Sequence, residues 1–308
     1  MKTSQSACRR WIHTYGLGAL FYMPFFILFL IFTIIPVFIG MGMSFTNYDM
    51  LRAPEFLGLD NYKNLFIFDE NFSKALINTF VIGGIAGPVG YLASFLFAWI
   101  LNNLRFKRLF TVILYAPSVA GGMGIMWDYL FSADRYGLIN NILINIGLIN
   151  SPIIWSADTD YIVPINILII VWGSMGTGFL VFLAGLQNLD PQMAEAGRID
   201  GIRNAFQELW FIILPQVKPQ LLYGAISTIV ASVGIFPSFG GFPSPNYVAH
   251  TLAAHIQDYG FVRFELGYAS AICMVMFFLS FGLGQVVIRL LGEHDRKIRK
   301  PKAVKRRR

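Results

Sequence analysis

A chain of 308 residues that is 56% hydrophobic and only 13% charged is not built as a soluble domain. Its formal net charge of +7 is unevenly placed, a pattern that orients a chain in a membrane. It carries two cysteines, Cys8 and Cys273, one in a cytosolic segment and one in a span, which excludes a disulfide framework and a metal spacing.

A bilayer core takes roughly 20 apolar residues per helix, and the sequence offers runs of that kind near 17–44, 75–101, 109–131, 161–186, 220–240 and 267–290. These six runs predict an all-α membrane protein with six transmembrane helices. The first is too long for a signal peptide's apolar region and lacks a small-residue cleavage site, so it is read as a span. With the N-terminus inside, inner segments hold Lys2, Arg9 and Arg10, then Arg105, Lys107 and Arg108, then Arg198, Arg203 and Lys218. The tail after Gly292 adds nine more, whereas the outer loops hold only Arg52, Lys63, Lys74, Arg135 and Arg263. Both termini are therefore expected in the cytosol. The tail IRKPKAVKRRR reads as an anchor beside anionic lipids rather than an arm for nucleic acid.

In chain order, the first outer loop contains PEFLGLDNYKNLF, a turn followed by an interfacial helix with aromatics at headgroup level. Gly83, Gly84, Gly87, Pro88 and Gly90 loosen the second run, and Pro117, Gly121, Gly122 and Gly124 the third. Such residues permit close helix packing in lipid and interrupt the backbone ladder. The 132–160 loop is apolar at helical spacing (Leu138, Ile139, Ile142, Leu143, Ile146), which places it along the outer membrane surface. In the fourth run Trp172 sits at helical spacing from Gly173, Gly176 and Thr177, leaving room beside the indole for a flat group. The same indole reads equally well as a packing aromatic. Ser227, Ser232 and Phe236 occupy a similar position in the fifth run. His250 and His255, in the last outer loop with no acidic or Cys partner at metal spacing, read as surface residues.

The longest polar interruption in the second half is 190–219, DPQMAEAGRIDGIRNAFQELWFIILPQVKP. Asp190-Pro191 is a helix start, Asp as N-cap and Pro where its missing N–H is harmless. Ala194, Glu195, Ala196 and Gly197 ride on a short helix, and Asp200-Gly201 forms a turn. A second amphipathic helix (Phe206, Leu209, Trp210, Ile213) is expected to stop at Leu214-Pro215. Small residues on one face suit the close approach of another protein.

Glu195-Ala196-Gly197, Gly201 and Ile212-x-Leu214-Pro215 resemble the "EAA…G…I-x-L-P" loop of ABC importer membrane subunits. Gly197 replaces the family's second Ala, and the Gly201-to-Ile212 gap is one residue longer. Phe56-x-Gly58-Leu59-Asp60-Asn61-Tyr62-x-x-Leu65-Phe66 resembles a stretch of the larger-type membrane subunits of the carbohydrate-uptake, maltose-type branch, while Pro117-x-x-x-Gly121 through Phe131 and Trp172 through Gly185-Leu186-Gln187 resemble the importer family as a whole. The resemblance implies a type I permease fold, with 1–71 as N-terminal segment, first helix and outer loop. It implies a permease domain over 72–290 and a basic cytosolic tail over 291–308. It implies an inner-membrane, multi-pass transport subunit, not an enzyme, in which Ala194 to Gly197, Asp200, Gly201, Leu214 and Pro215 couple to an ATPase. Trp172, Thr177, Ser227, Ser232 and Phe236 become candidates for the substrate path. The implied assembly has a second similar permease, two ATPase subunits and an extracytoplasmic solute-binding protein. Its implied cargo is a sugar, with glycerol phosphate, a peptide or another polar solute as alternatives.

The sequence contains no Gly-Lys dipeptide and hence no phosphate-binding P-loop, so ATP and Mg belong to the partner ATPase and no cofactor is expected on this chain. The runs are nearly free of ionisable residues, Asp128 being the main exception, which argues against a self-sufficient ion-coupled carrier. A membrane scaffold that uses 190–219 only for docking is the other alternative.

Overall fold

The computed structural model describes residues 20–102, 104, 107, 109–112, 115, 123–237, 239 and 244–298. Its principal helices are α1 Leu20–Met43, α2 Glu70–Asn102, α3 Met123–Leu130, α4 Thr159–Gln187, α5 Pro191–Ile199, α6 Lys218–Val233 and α7 Leu266–Ile298. Among the described residues there is no strand, only an isolated bridge between Thr46 and Phe56.

Among the described residues, four helices are long and apolar enough to cross a membrane: Leu20–Met43, Glu70–Asn102, Thr159–Gln187 and Leu266–Arg289. The expected third run, 109–131, falls partly outside the described residues, where α3 forms its end. The expected fifth run ends early, because α6 stops at Val233 and the chain leaves the helix at Gly234.

Helix α2 shows why these segments associate. Its buried residues Phe72, Ala75, Thr79, Ile82, Ala86 and Gly90 recur at three- and four-residue steps, one stripe of a helix. Small residues on that stripe let neighbours come close. A Cβ on Gly90 would run into the Ser174 side chain of α4, and one on Gly83 would lie 2.6 Å from the Ser232 carbonyl oxygen of α6. Helix α1 is different: its apolar residues from Leu20 to Ile39 are exposed. A helix apolar all round is made for lipid.

Three cores result. One end of the bundle packs Phe95, Leu101, Phe179, Phe182, Leu209 and Ile213. The middle packs Ile82, Trp127, Trp155, Ile162 and Phe239, and the opposite end Leu65, Phe72, Leu252 and Ile272. The 132–160 loop is folded onto the second core, against which Ile139 and Leu143 pack, instead of presenting all its apolar residues to a membrane surface. Asn140, fully buried, fixes it: its amide donates to the Ser132 and Ile153 carbonyls at 3.0 Å and accepts from Trp155 Nε1 at 3.0 Å.

The histidine expectation is overturned. His250 is 0% and His255 1% exposed, and His255 Nε2 lies 3.0 Å from Asp69 Oδ2, a carboxylate 186 positions earlier. The loop places them inside because Thr251 starts a helical turn, Leu252–Gln257, that packs on α2 and α7.

Candidate functional site

The 190–219 segment is a helical hairpin. Asp190 Oδ1 accepts from the Gln192 amide at 2.9 Å and opens α5 with Pro191 in its first turn. The helix ends at Asp200, Gly201 takes φ +99°, and the Ile202 amide bonds back to the Gly197 carbonyl at 3.0 Å. Nothing would touch a Cβ at Gly201, so glycine is required there by backbone conformation alone. At Gly197 the reason is space: it is buried, and a Cβ would run into Ile212. The small residue is what lets the two arms of the hairpin close.

The second arm starts at Asn204, whose side chain accepts from the Gln207 amide at 2.7 Å. Ala205–Glu208 continues through a wide π-turn, Leu209–Ile213, into Leu214–Gln216. The helix therefore does not stop at Leu214-Pro215. The wide turn, in which the Leu214 amide bonds to the Leu209 carbonyl, lets the chain pass through Pro215 and break at Val217. Leu209, Ile212 and Ile213 face inward, while Phe206 and Trp210, expected on the same apolar face, are exposed. Met193 and Ile199 of α5 are exposed as well, Ile199 by 86%. Together with Glu195 and Ala196 they give the hairpin an outward face whose apolar members, Met193 and Ile199, the sequence had not singled out. Ala194 and Leu214 are half-buried, and Asp200 and Pro215 are exposed or partly so at the two ends of that face.

Beyond the hairpin, α2, α4 and α6 enclose a cavity of about 290 Å³. Its polar lining comes from Tyr91 and Ser94, Ser174, Tyr223, Ser227 and Thr228, and among the described residues no Asp, Glu, Lys, Arg or His lines it. Ser94 Oγ donates to the Ser174 carbonyl at 3.1 Å, and the Thr228 hydroxyl to the Gly224 carbonyl at 2.8 Å. Such a wall sets hydroxyls and phenol rings, most of them donating to backbone carbonyls, into a mainly apolar surface. Of the five candidate path residues, Ser227 lines this cavity. Ser232 lies further along α6, with its hydroxyl bonded to Ile229 and its backbone against Gly83. Phe236 follows the end of α6. Trp172 is 40% exposed and sits edge-on to Trp127 at 6.4 Å, outside the cavity lining. The Thr177 side chain is outside the described residues. Tyr91, Tyr223 and Thr228 were missed because nothing local distinguishes them from other residues of an apolar run.

Residues 80–291 match the family described as "Binding-protein-dependent transport system inner membrane component". The chain belongs to that family. It is 34% identical to the "Probable ABC transporter permease protein YesP" of Bacillus subtilis (strain 168), over 84% of this chain and 85% of that one. It is 29% identical to the "Lactose transport system permease protein LacF" of Rhizobium radiobacter, over 89% and 93% of the two chains. Identity is also 29% to the "Arabinooligosaccharides transport system permease protein AraP" of Bacillus subtilis (strain 168), covering 89% and 88%. Among solved structures, the fold matches a chain of a bacterial alginate ABC transporter crystallised with an alginate pentasaccharide-bound periplasmic protein. The TM-score is 0.75 at 22% identity, over 95% of this chain and 99% of that one. The protein is thus a membrane-embedded transport subunit, and its family places the energy-converting chemistry elsewhere.

Proposed function

We propose that this chain is one of two permease subunits of an ATP-driven sugar importer, with six spans and both termini in the cytosol. The 190–219 hairpin docks on a separate ATPase, and an extracytoplasmic binding protein delivers the cargo. The spans beyond the four candidate helices are 109–131 and α6 with its continuation to about 240. The outward face of Met193, Glu195, Ala196, Ile199 and Phe206 is the docking surface. The relatives named for lactose and arabinooligosaccharide transport support a carbohydrate cargo.

One observation carries the reading most directly: the cavity and the hairpin share a wall. Phe182 lines the cavity, and it also belongs to the core that holds Leu209, Ile213 and Val217 of the hairpin. A displacement of the hairpin therefore reaches the guest space through packed side chains. ATP closure of the partner moves the hairpin, and the bundle alternates its access. Among the described residues the cavity lining carries no Asp, Glu, Lys or Arg, which favours a neutral oligosaccharide over a phosphorylated solute.

The test is reconstitution in proteoliposomes with the second permease, the ATPase and the binding protein. Neutral tri- to pentasaccharides should be taken up when ATP is inside. Uptake of glycerol phosphate or a peptide instead, with no saccharide taken up, would remove the cargo assignment.

A further inference from the structure

At the end of the bundle opposite the hairpin, Asp69 joins three pieces of chain. Its Oδ2 accepts from Tyr259 Oη at 3.2 Å and Tyr268 Oη at 2.9 Å and lies 3.0 Å from His255 Nε2, while Oδ1 accepts from the Phe72 amide at 3.0 Å. His255 Nδ1 lies 3.0 Å from His250 Nε2. An ionised Asp69 can only accept, so His255 carries its proton on Nε2 and presents a lone pair at Nδ1, which His250 Nε2–H fills. The order of donors is thereby fixed along the whole row. Asn78 and Thr79 of α2 pin the same loop, Asn78 donating to the His250 carbonyl at 3.0 Å and Thr79 accepting from the Leu252 amide at 2.8 Å. Asp69, Tyr259 and Tyr268 also wall a cavity of about 800 Å³, with Glu70, Arg263 and Glu265 on its rim.

We propose that Asp69, His255 and His250 form a proton-sensitive latch that holds the 250–263 loop in place, and that external acid releases it and slows import. The proposal takes from the proposed function only that this end of the bundle faces outside.

The physical reason is burial of the two rings, whose desolvation opposes an added proton more strongly than the nearby carboxylates favour it. Protonating both would leave N–H facing N–H across the 3.0 Å contact. Burial pushes His250 down to about 4, with the neighbouring His255 acting in the same direction. Burial also lowers His255, outweighing the pull of Asp69. Burial raises the Asp69 carboxyl, but the Phe72 amide, His255 and the Tyr268 hydroxyl together bring it below its ordinary value. The other groups facing the pair are Asp258, which favours a proton, Arg263, which opposes one and is paired with Asp258 at 2.7 Å, and the rings of Tyr247 against His250 and Tyr259 against His255, with Glu265 acting on Tyr259. For a base lowered in the fold, the unfolded or opened loop binds the proton more tightly. The latch is therefore at full strength above about 6.5, the ordinary histidine value, and is lost as pH falls toward about 4.

The decisive measurement uses the assembled complex in proteoliposomes, with internal pH fixed and external pH stepped from neutral to acid. Wild-type uptake should fall at least about twofold as external pH drops from about 6.5 toward about 4, the window in which the opened loop gains protons that the closed latch resists. The doubly substituted H250N/H255Q complex should show a flat profile over that range. Identical profiles for the two would overturn the latch. A second measurement needs neither transport nor a stable double variant. Ala254, 1% exposed beside the latch, is replaced by Cys after Cys8 and Cys273 are removed. Its labelling by an impermeant thiol reagent is divided by that of Cys at exposed Tyr136, which cancels the thiol's own pH dependence. The ratio should rise at least about twofold between neutral pH and pH 4. An unchanged ratio refutes the latch whatever the cargo proves to be.

Discussion

The Tyr91 hydroxyl donates to the Leu221 carbonyl across 3.0 Å, tying a wall of the bundle cavity to the first turn of the helix that leaves the hairpin. Its ring meets Phe182 edge-on at 5.3 Å, and Phe182 meets Phe95 in the same way at 5.5 Å. These contacts give one continuous route of packed side chains from the hairpin to the cavity. Tyr91→Phe keeps the rings and removes one hydrogen bond worth about 1 kcal/mol. The expected outcome is normal assembly with more ATP hydrolysed per cargo molecule imported, measured on the reconstituted complex. An unchanged ratio would place coupling elsewhere.

Gly201 tests the hairpin turn without steric ambiguity. At φ +99° and with open space around it, Gly201→Ala introduces backbone strain on the order of 1–3 kcal/mol and no clash. The variant should insert in the membrane yet retain less ATPase on purification. Glu195→Lys, on the exposed face, should weaken ATPase retention without disturbing the fold. Normal stoichiometry and transport in both variants would refute the docking assignment.

The cavity and the tryptophan separate cleanly. Ser227→Trp fills part of a space of about 290 Å³ and should abolish uptake while leaving assembly intact. Trp172→Ala removes an edge-on contact with Trp127, worth about 0.5–1.5 kcal/mol beyond area burial. It should lower the yield of complex while uptake per assembled complex stays at the wild-type level. A drop in uptake per complex, recovered in part by Trp172→Tyr, would return Trp172 to the path.

Topology is checked on intact cells in a background lacking Cys8 and Cys273. Cys at exposed Ser151 should react with an impermeant reagent, and Cys at exposed Gln192 should not. Labelling at Gln192 from outside inverts the proposed orientation.

The sequence alone determined the helical membrane class, the hairpin with its Asp190 cap and Gly201 turn, and the resemblance to importer permeases. Each of these is written in neighbouring residues: apolar runs of bilayer length, a cap followed by Pro, a glycine where φ must be positive. Tertiary structure decided what touches across long separations. No spacing rule joins Asp69 to His255, so two histidines that read as surface groups are in fact buried. Local hydrophobicity could not tell Leu209 and Ile213, which face the bundle, from Phe206 and Trp210, which face out, because the π-turn between them shifts the helical phase. The cavity was equally hidden, since Tyr91, Ser174 and Ser227 meet only when glycines let three helices close on one another. Periodicity is a property of one segment, whereas a site is made by the packing of several.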